Sequence, residues 1–168
     1  DGDVYGIDPL RCEGCGVCVA LCPAKAIAFP EMECGEWYVS DTRFGPFVHA
    51  QLYPGQENSG RLVTLLKQQA RELAKRQGLD LVICDGSPGV GCPVISSLSG
   101  ASLAVAVVEP TPSGRHDFER VAALCDHFRI PVAVLINKAD LNHEEVQAIT
   151  RLADDKGYTV VGALPFDP

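Results

Sequence analysis

Four cysteines carry the clearest capacity for chemistry in this chain. They stand in the run Cys12-Glu-Gly-Cys15-Gly-Val-Cys18-Val-Ala-Leu-Cys22-Pro23, while Cys34, Cys84, Cys92 and Cys125 are scattered singly. A disulfide framework spreads its cysteines to staple distant loops, whereas gaps of two and three residues aim all the sulfurs at one locus. The spacing C-x2-C-x2-C-x3-C-P is the one by which thiolates hold a cubane [4Fe–4S] cluster. A zinc knuckle also uses C-x2-C pairs, but draws them from two separated hairpins. Gly14 and Gly16 let the backbone wrap closely and turn amide N–H groups toward cluster sulfurs.

In two-cluster ferredoxins the fourth cysteine of such a run ligates the other cluster, and no second run occurs here. Cys12, Cys15 and Cys18 then need a further ligand. Cys34 is nearest in sequence; Cys84 lies in an apolar run and reads as core, and Cys125 follows a helical pattern. The simpler expectation is that half of the ferredoxin unit lies upstream of Asp1. A cluster of this kind implies a redox partner or an iron–sulfur acceptor protein.

A second set of chemical residues follows apolar runs. Asp85-Gly86-Ser87-Pro88-Gly89-Val90-Gly91 places a carboxylate after Leu79–Cys84, where it could hold a Mg²⁺-bound water while the glycines let the backbone approach a γ-phosphate. A tight turn with an Asx cap is the plain alternative. Asn137-Lys138-Ala139-Asp140 has the N-K-x-D shape whose side-chain amide can meet a nucleobase edge, and Leu164-Pro165-Phe166-Asp167 could border the same base or be only a turn. Gly86 and Gly91 have phosphate-loop glycine spacing, yet Cys92-Pro93 stand where a Lys and a hydroxyl residue belong. Pro93 also lacks the N–H of a phosphate cradle, so no phosphate loop is expected here and this chain alone should lack ATPase activity. Cys92 is open between a small buried hydrophobe and a reactive or cluster-accepting thiol. His49, His116, His127 and His143 have no mutual spacing that suggests a metal site.

The elements that position these residues are legible in part. Residues 36–53 read as two strands around Gly45-Pro46, a hairpin. Residues 60–77 read as a helix stopped by Gly78. Leu79–Cys84, Ala104–Val108, Val132–Ile136 and Tyr158–Val161 are apolar runs expected of parallel strands covered on both faces. Helices fit at Arg115–Phe128, preceded by Ser113, and at Asn142–Asp155, with Asn142 as N-cap. The fold class is therefore α/β: a partial, open, mostly parallel sheet with flanking helices, a small ferredoxin-like segment and a β-hairpin. Residues 1–34 form the iron–sulfur segment and residues 35–168 the α/β body.

Composition sets the outer bounds. The 168 residues are 46% hydrophobic, enough for a buried core, and the net charge is −8. That acidic balance argues against nucleic-acid binding and anionic membranes. Neither a membrane-spanning apolar stretch nor a signal peptide is present, so a cytoplasmic protein is expected.

Together these motifs, with Gly35-Glu-Trp-Tyr-Val-Ser-Asp-Thr-Arg-Phe-Gly-Pro46, Gly55-Gln-Glu-Asn-Ser-Gly60-Arg-Leu-Val63 and Glu109-Pro-Thr-Pro-Ser-Gly114, resemble the MinD/Mrp-type P-loop ATPases that carry an inserted ferredoxin domain. The resemblance implies a deviant-Walker ATPase coupling ATP and Mg²⁺ to cluster assembly, cluster transfer or electron transfer. It implies that Asp85 with Gly86 and Gly89 matches switch II. Asn137 would match the adenine-reading residue, with Pro165 and Phe166 beside the base. It further implies a homodimer for the intact protein, of which this chain would be an internal fragment lacking the first strand and the phosphate loop. The alternative is a non-hydrolytic ferredoxin-like electron-transfer module with the α/β body as a docking platform.

Overall fold

The computed structural model describes residues 5–8, 12, 14–56 and 60–167. The chain forms two compact units, Asp1–Cys84 and Asp85–Pro168.

In the first unit a short helix α1 (Val17–Leu21) follows Gly16, whose φ of 74° places it in the left-handed region that glycine adopts without strain. Strands β1 (Gly35–Thr42) and β2 (Gly45–Leu52) pair antiparallel over their whole length, from Gly35 opposite Leu52 to Thr42 opposite Gly45. The expected hairpin is present. Glycine is required at its open end, since a Cβ on Gly35 would stand 2.4 Å from the Gln51 carbonyl oxygen. His49 lies stacked between Tyr38 and Phe47, with ring centroids 5.4 and 4.8 Å away, and shares a 2.9 Å hydrogen bond with Ser40 Oγ. Helix α2 (Arg61–Gln77) packs on β2 and ends at Gly78 in the left-handed conformation.

In the second unit, α3 (Cys92–Leu98) precedes a three-stranded parallel sheet in the order β3 (Ala104–Val108), β4 (Val132–Ile136), β5 (Thr159–Ala163). Helices α4 (Pro112–His127) and α5 (His143–Lys156) make the crossovers. Alternation along the strands sends Val108, Val134 and Ile136 to one face, where they bury Phe118, Ala122 and Cys125 of α4 and Ile149 and Ala153 of α5. On β3 the alternate residues Val105 and Val107 are exposed, Val107 at 61%. β4 is the most buried strand because it lies between the other two.

Several sequence expectations need correction. Leu79–Cys84 forms no strand; Leu81 is 73% and Ile83 85% exposed, because an apolar run becomes a strand only where a ladder partner receives it. Cys84 is accordingly exposed rather than core, and Cys92 is exposed at the first position of α3, whereas Cys125 is buried. Burial raises the Cys125 thiol pKa. Helix α4 begins earlier than Ser113: Thr111 is its N-cap, accepting a 2.9 Å hydrogen bond from Gly114 N–H, with Pro112 at the first helical position. Asn142 caps α5 as expected, accepting from Glu145 N–H at 3.1 Å. Among the described residues no helix is long and apolar enough to cross a membrane.

Candidate functional site

Two sets of residues are placed by these elements, one in each unit. In the first, Cys15, Cys18 and Cys22 flank or lie within α1, and Cys12 precedes it. All four are free thiols; Cys12, Cys15 and Cys18 are exposed and Cys22 is half-buried. Gly14 (φ 61°) and Gly16 (φ 74°) take left-handed turns that a side chain would strain, and these turns bend the chain between successive cysteines. Ala20 N–H donates to the Gly16 carbonyl at 3.0 Å, and Lys25 N–H to that of Cys22 at 3.1 Å, so the segment from Gly16 to Lys25 is locally pinned. Among the described residues no three His, Cys, Asp or Glu side chains converge into a metal-binding group. The donor set nevertheless fits a cluster: four reachable thiols, spaced by two, two and three residues around glycine turns, are soft ligands for iron–sulfur chemistry. Cys34 is also exposed, and its carbonyl accepts from Tyr53 N–H at 2.9 Å at the base of the hairpin.

In the second unit the three parallel strands end along one edge, at Val108, Ile136 and Ala163, and the loops leaving them are tied together. Asn137 N–H donates to the Val108 carbonyl at 2.9 Å and Leu164 N–H to that of Ile136 at 2.8 Å, so each strand continues its neighbour's ladder by one residue. Asn137 Oδ1 accepts from Lys138 N–H at 3.1 Å, and Lys138 sits at φ 55°, an uncommon conformation for a side-chain-bearing residue that marks a constrained turn. Lys138 Nζ pairs with Glu109 beyond β3. Ala139 N–H donates to the Leu164 carbonyl at 2.8 Å, and Asp140 Oδ1 accepts from Phe166 N–H at 2.6 Å. The loop carrying Pro165 and Phe166 is thus fastened to the loop carrying Asn137, with Phe166 47% exposed. The carboxylate of Asp140 is committed to this fastening.

Gly114, the last residue of the Glu109–Gly114 stretch, is a further positioning residue, for which the motif gave no role. A Cβ there would meet the Glu109 carbonyl oxygen at 2.4 Å, so glycine lets the first turn of α4 lie against the loop that carries the ion pair. Asp85, Gly86 and Gly89 occupy their own exposed turn before α3, with Gly89 at φ 87° and Gly86 lying over Ser97. Arg115 Nε donates to Glu145 Oε2 at 2.9 Å, joining the starts of α4 and α5, and this bond raises the Arg115 pKa further.

Comparison with known proteins bears on the first set. Residues 5–28 match the family model described as "4Fe-4S binding domain". The chain therefore carries a ferredoxin-type [4Fe–4S] segment near its start, and the C-x2-C-x2-C-x3-C run lies within the matched residues. Over 139 residues the chain is 34% identical to the uncharacterized protein MJ0578 of Methanocaldococcus jannaschii, covering 83% of this chain and 49% of that protein. It is 22% identical over 145 residues to the uncharacterized protein MJ0579 of the same organism, covering 86% of this chain and 51% of that protein. The chain spans about half the length of these curated relatives.

Proposed function

We propose that this chain is the iron–sulfur part of a MinD/Mrp-type ATPase that couples ATP binding and hydrolysis to cluster assembly, cluster transfer or electron transfer. The observation that carries the reading is the joining of a [4Fe–4S] segment to a parallel unit whose β4 and β5 loops are fastened through Asp140 and Phe166. Residues 1–34 serve as the cluster segment and residues 35–168 as the nucleotide-responsive body. Cys12, Cys15, Cys18 and Cys22 supply thiolates; when bound, the cluster supplies one-electron storage.

In the body, Asn137 offers an amide to a base edge. Pro165 and Phe166 border the same edge, in a loop that the Phe166 N–H bond to Asp140 fastens. Asp85 would supply a carboxylate to a Mg²⁺-bound water, and Gly86 and Gly89 would leave backbone N–H groups open to a phosphate, were ATP and Mg²⁺ bound. The reading requires a Lys-bearing phosphate loop from outside these 168 residues, and two protomers sandwiching two nucleotides. In the longer protein, Asp85→Ala should leave nucleotide binding in place and abolish Mg²⁺-dependent turnover. Normal turnover in that variant removes the switch role.

A second reading, a non-hydrolytic electron-transfer module with the body as docking platform, is favoured by one specific feature. Cys92-Pro93 occupy the positions of the phosphate-loop Lys and hydroxyl residue. A longer protein that binds a cluster but no ATP would establish it.

A further inference from the structure

One face of the β1–β2 hairpin holds a side-chain contact that neither the cluster nor a nucleotide uses. Register sets Tyr38 opposite His49 and Ser40 opposite Phe47, so these four side chains share a face of the ladder. His49 Nε2 and Ser40 Oγ lie 2.9 Å apart across the strands. The imidazole stacks on both aromatic neighbours, at 13° to Phe47 and 29° to Tyr38, which restrains its orientation. The Tyr38 hydroxyl donates to Glu36 and so does not compete for the imidazole nitrogen. Ser40 and His49 are each half-buried, held in place yet reachable from solvent.

A serine hydroxyl within hydrogen-bond reach of a histidine nitrogen can pass its proton to that nitrogen as the oxygen attacks an electrophile. With the ring proton on Nδ1, Nε2 accepts from Ser40 O–H, and the two aromatic rings take the orienting part that a third polar group has in other such pairs. The ladder also supplies an oxyanion donor. Tyr53 N–H donates to the Cys34 carbonyl at 2.9 Å, which marks Cys34–Tyr53 as a hydrogen-bonded pair. Every second pair from there, Ser40–Phe47 among them, exchanges ladder bonds, and the residues between turn their N–H groups outward. The N–H of Asp41, next to Ser40, therefore points to the outer edge of β1 in a two-stranded sheet.

We propose that Ser40 and His49 form a nucleophile–base pair that accepts an acyl group from an activated donor, a thioester or an aryl ester. The class of donor follows from the openness of the face. On a sheet surface with one N–H for the oxyanion, the leaving group has to depart largely on its own stability, as a thiolate or phenolate does and an amine or alkoxide does not. In the step, Ser40 Oγ bonds to the acyl carbon and the bond from that carbon to sulfur or aryl oxygen breaks. The serine proton passes to His49 Nε2 and from there to the departing thiolate or phenolate. Nothing is oxidised or reduced, and the product is an O-acyl serine beside the exposed ring of Phe47.

The test uses the whole chain with acetyl coenzyme A and p-nitrophenyl acetate as probes, and locates the acetyl group by peptide mass mapping. Neutral hydroxylamine before digestion strips thioesters formed on cysteines and leaves a serine ester. Acetyl should accumulate on the peptide that carries Ser40 and vanish from it in Ser40→Ala. His49→Gln should slow that acetylation about a hundredfold. Amide chemical shifts of β1 and β2 show whether the hairpin persists in each variant, so a lost base is told apart from a lost fold. Acetyl found on lysines with none on Ser40 overturns the proposal. So does acetylation of Ser40 at the same rate in wild type and His49→Gln.

Discussion

Replacing Asp140 with Ala probes the fastening on which the nucleotide reading depends. The substitution removes the acceptor of the 2.6 Å bond from Phe166 N–H and leaves the backbone bond from Ala139 to Leu164 in place. A hydrogen bond to a charged group is worth more than a neutral one, but Asp140 is exposed, so water competes for both partners. About 1 kcal/mol is the magnitude expected at such a site. That corresponds to about fivefold in the opening equilibrium of the loop. Amide hydrogen exchange resolved at Phe166 is the assay: protection should fall about fivefold in Asp140→Ala, while amides of β4 such as Val134, which is fully buried, stay unchanged. Asp140→Asn, which retains an oxygen acceptor, should recover most of the protection. Equal protection at Phe166 in wild type and Asp140→Ala would refute the claim that this carboxylate holds the loop.

Other outcomes follow from the same geometry. Ile149→Ala, at a fully buried position where α5 meets the sheet, should cost about 2–5 kcal/mol in urea unfolding of the chain, and a loss below about 1 kcal/mol would show that this core is not packed as described. Gly114→Ala should cost about 1–3 kcal/mol by pushing the Glu109 carbonyl away; an unchanged unfolding midpoint would contradict the close approach. Burial, reinforced by the hydrogen bond to Asp126, raises the Tyr158 pKa from 10.0 to about 12. An acid whose folded pKa is raised stabilises the fold below its unfolded value, so this contribution is present below pH 10 and lost as the pH climbs through about 12. Tyr158→Phe should flatten the alkaline limb of stability against pH, and an identical limb in both proteins would remove the assignment.

Much of the body was legible in the sequence because its signals are local. Asn142 with Glu145 marks the start of α5, and Gly78 marks the end of α2 in the left-handed conformation. The apolar runs at 104–108 and 132–136 are strands, since each finds its ladder partner in the other. The run at 79–84 has the same composition and is not a strand, because pairing is a property of the neighbour and leaves no trace in the run itself. Helix α3 escaped for the opposite reason: its seven residues open on Cys92-Pro93 within a glycine-rich stretch that reads as loop, although a proline near a helix start is a usable signal. At the strand ends, Asn137, Pro165 and Phe166 could be singled out by motif. The role of Asp140 could not, because its partner lies 26 residues away in sequence. The cysteine run was readable outright, since its information lies wholly in spacing.

The most direct test of the account is the iron and acid-labile sulfide content of the chain purified without oxygen, read with its visible spectrum beside Cys15→Ser. The account predicts a broad iron–sulfur absorbance, iron and sulfide in equal amounts approaching about four of each per chain once the ligand set is complete, and loss of both in Cys15→Ser. Zinc in place of iron, or iron and sulfide unchanged by Cys15→Ser, would contradict it.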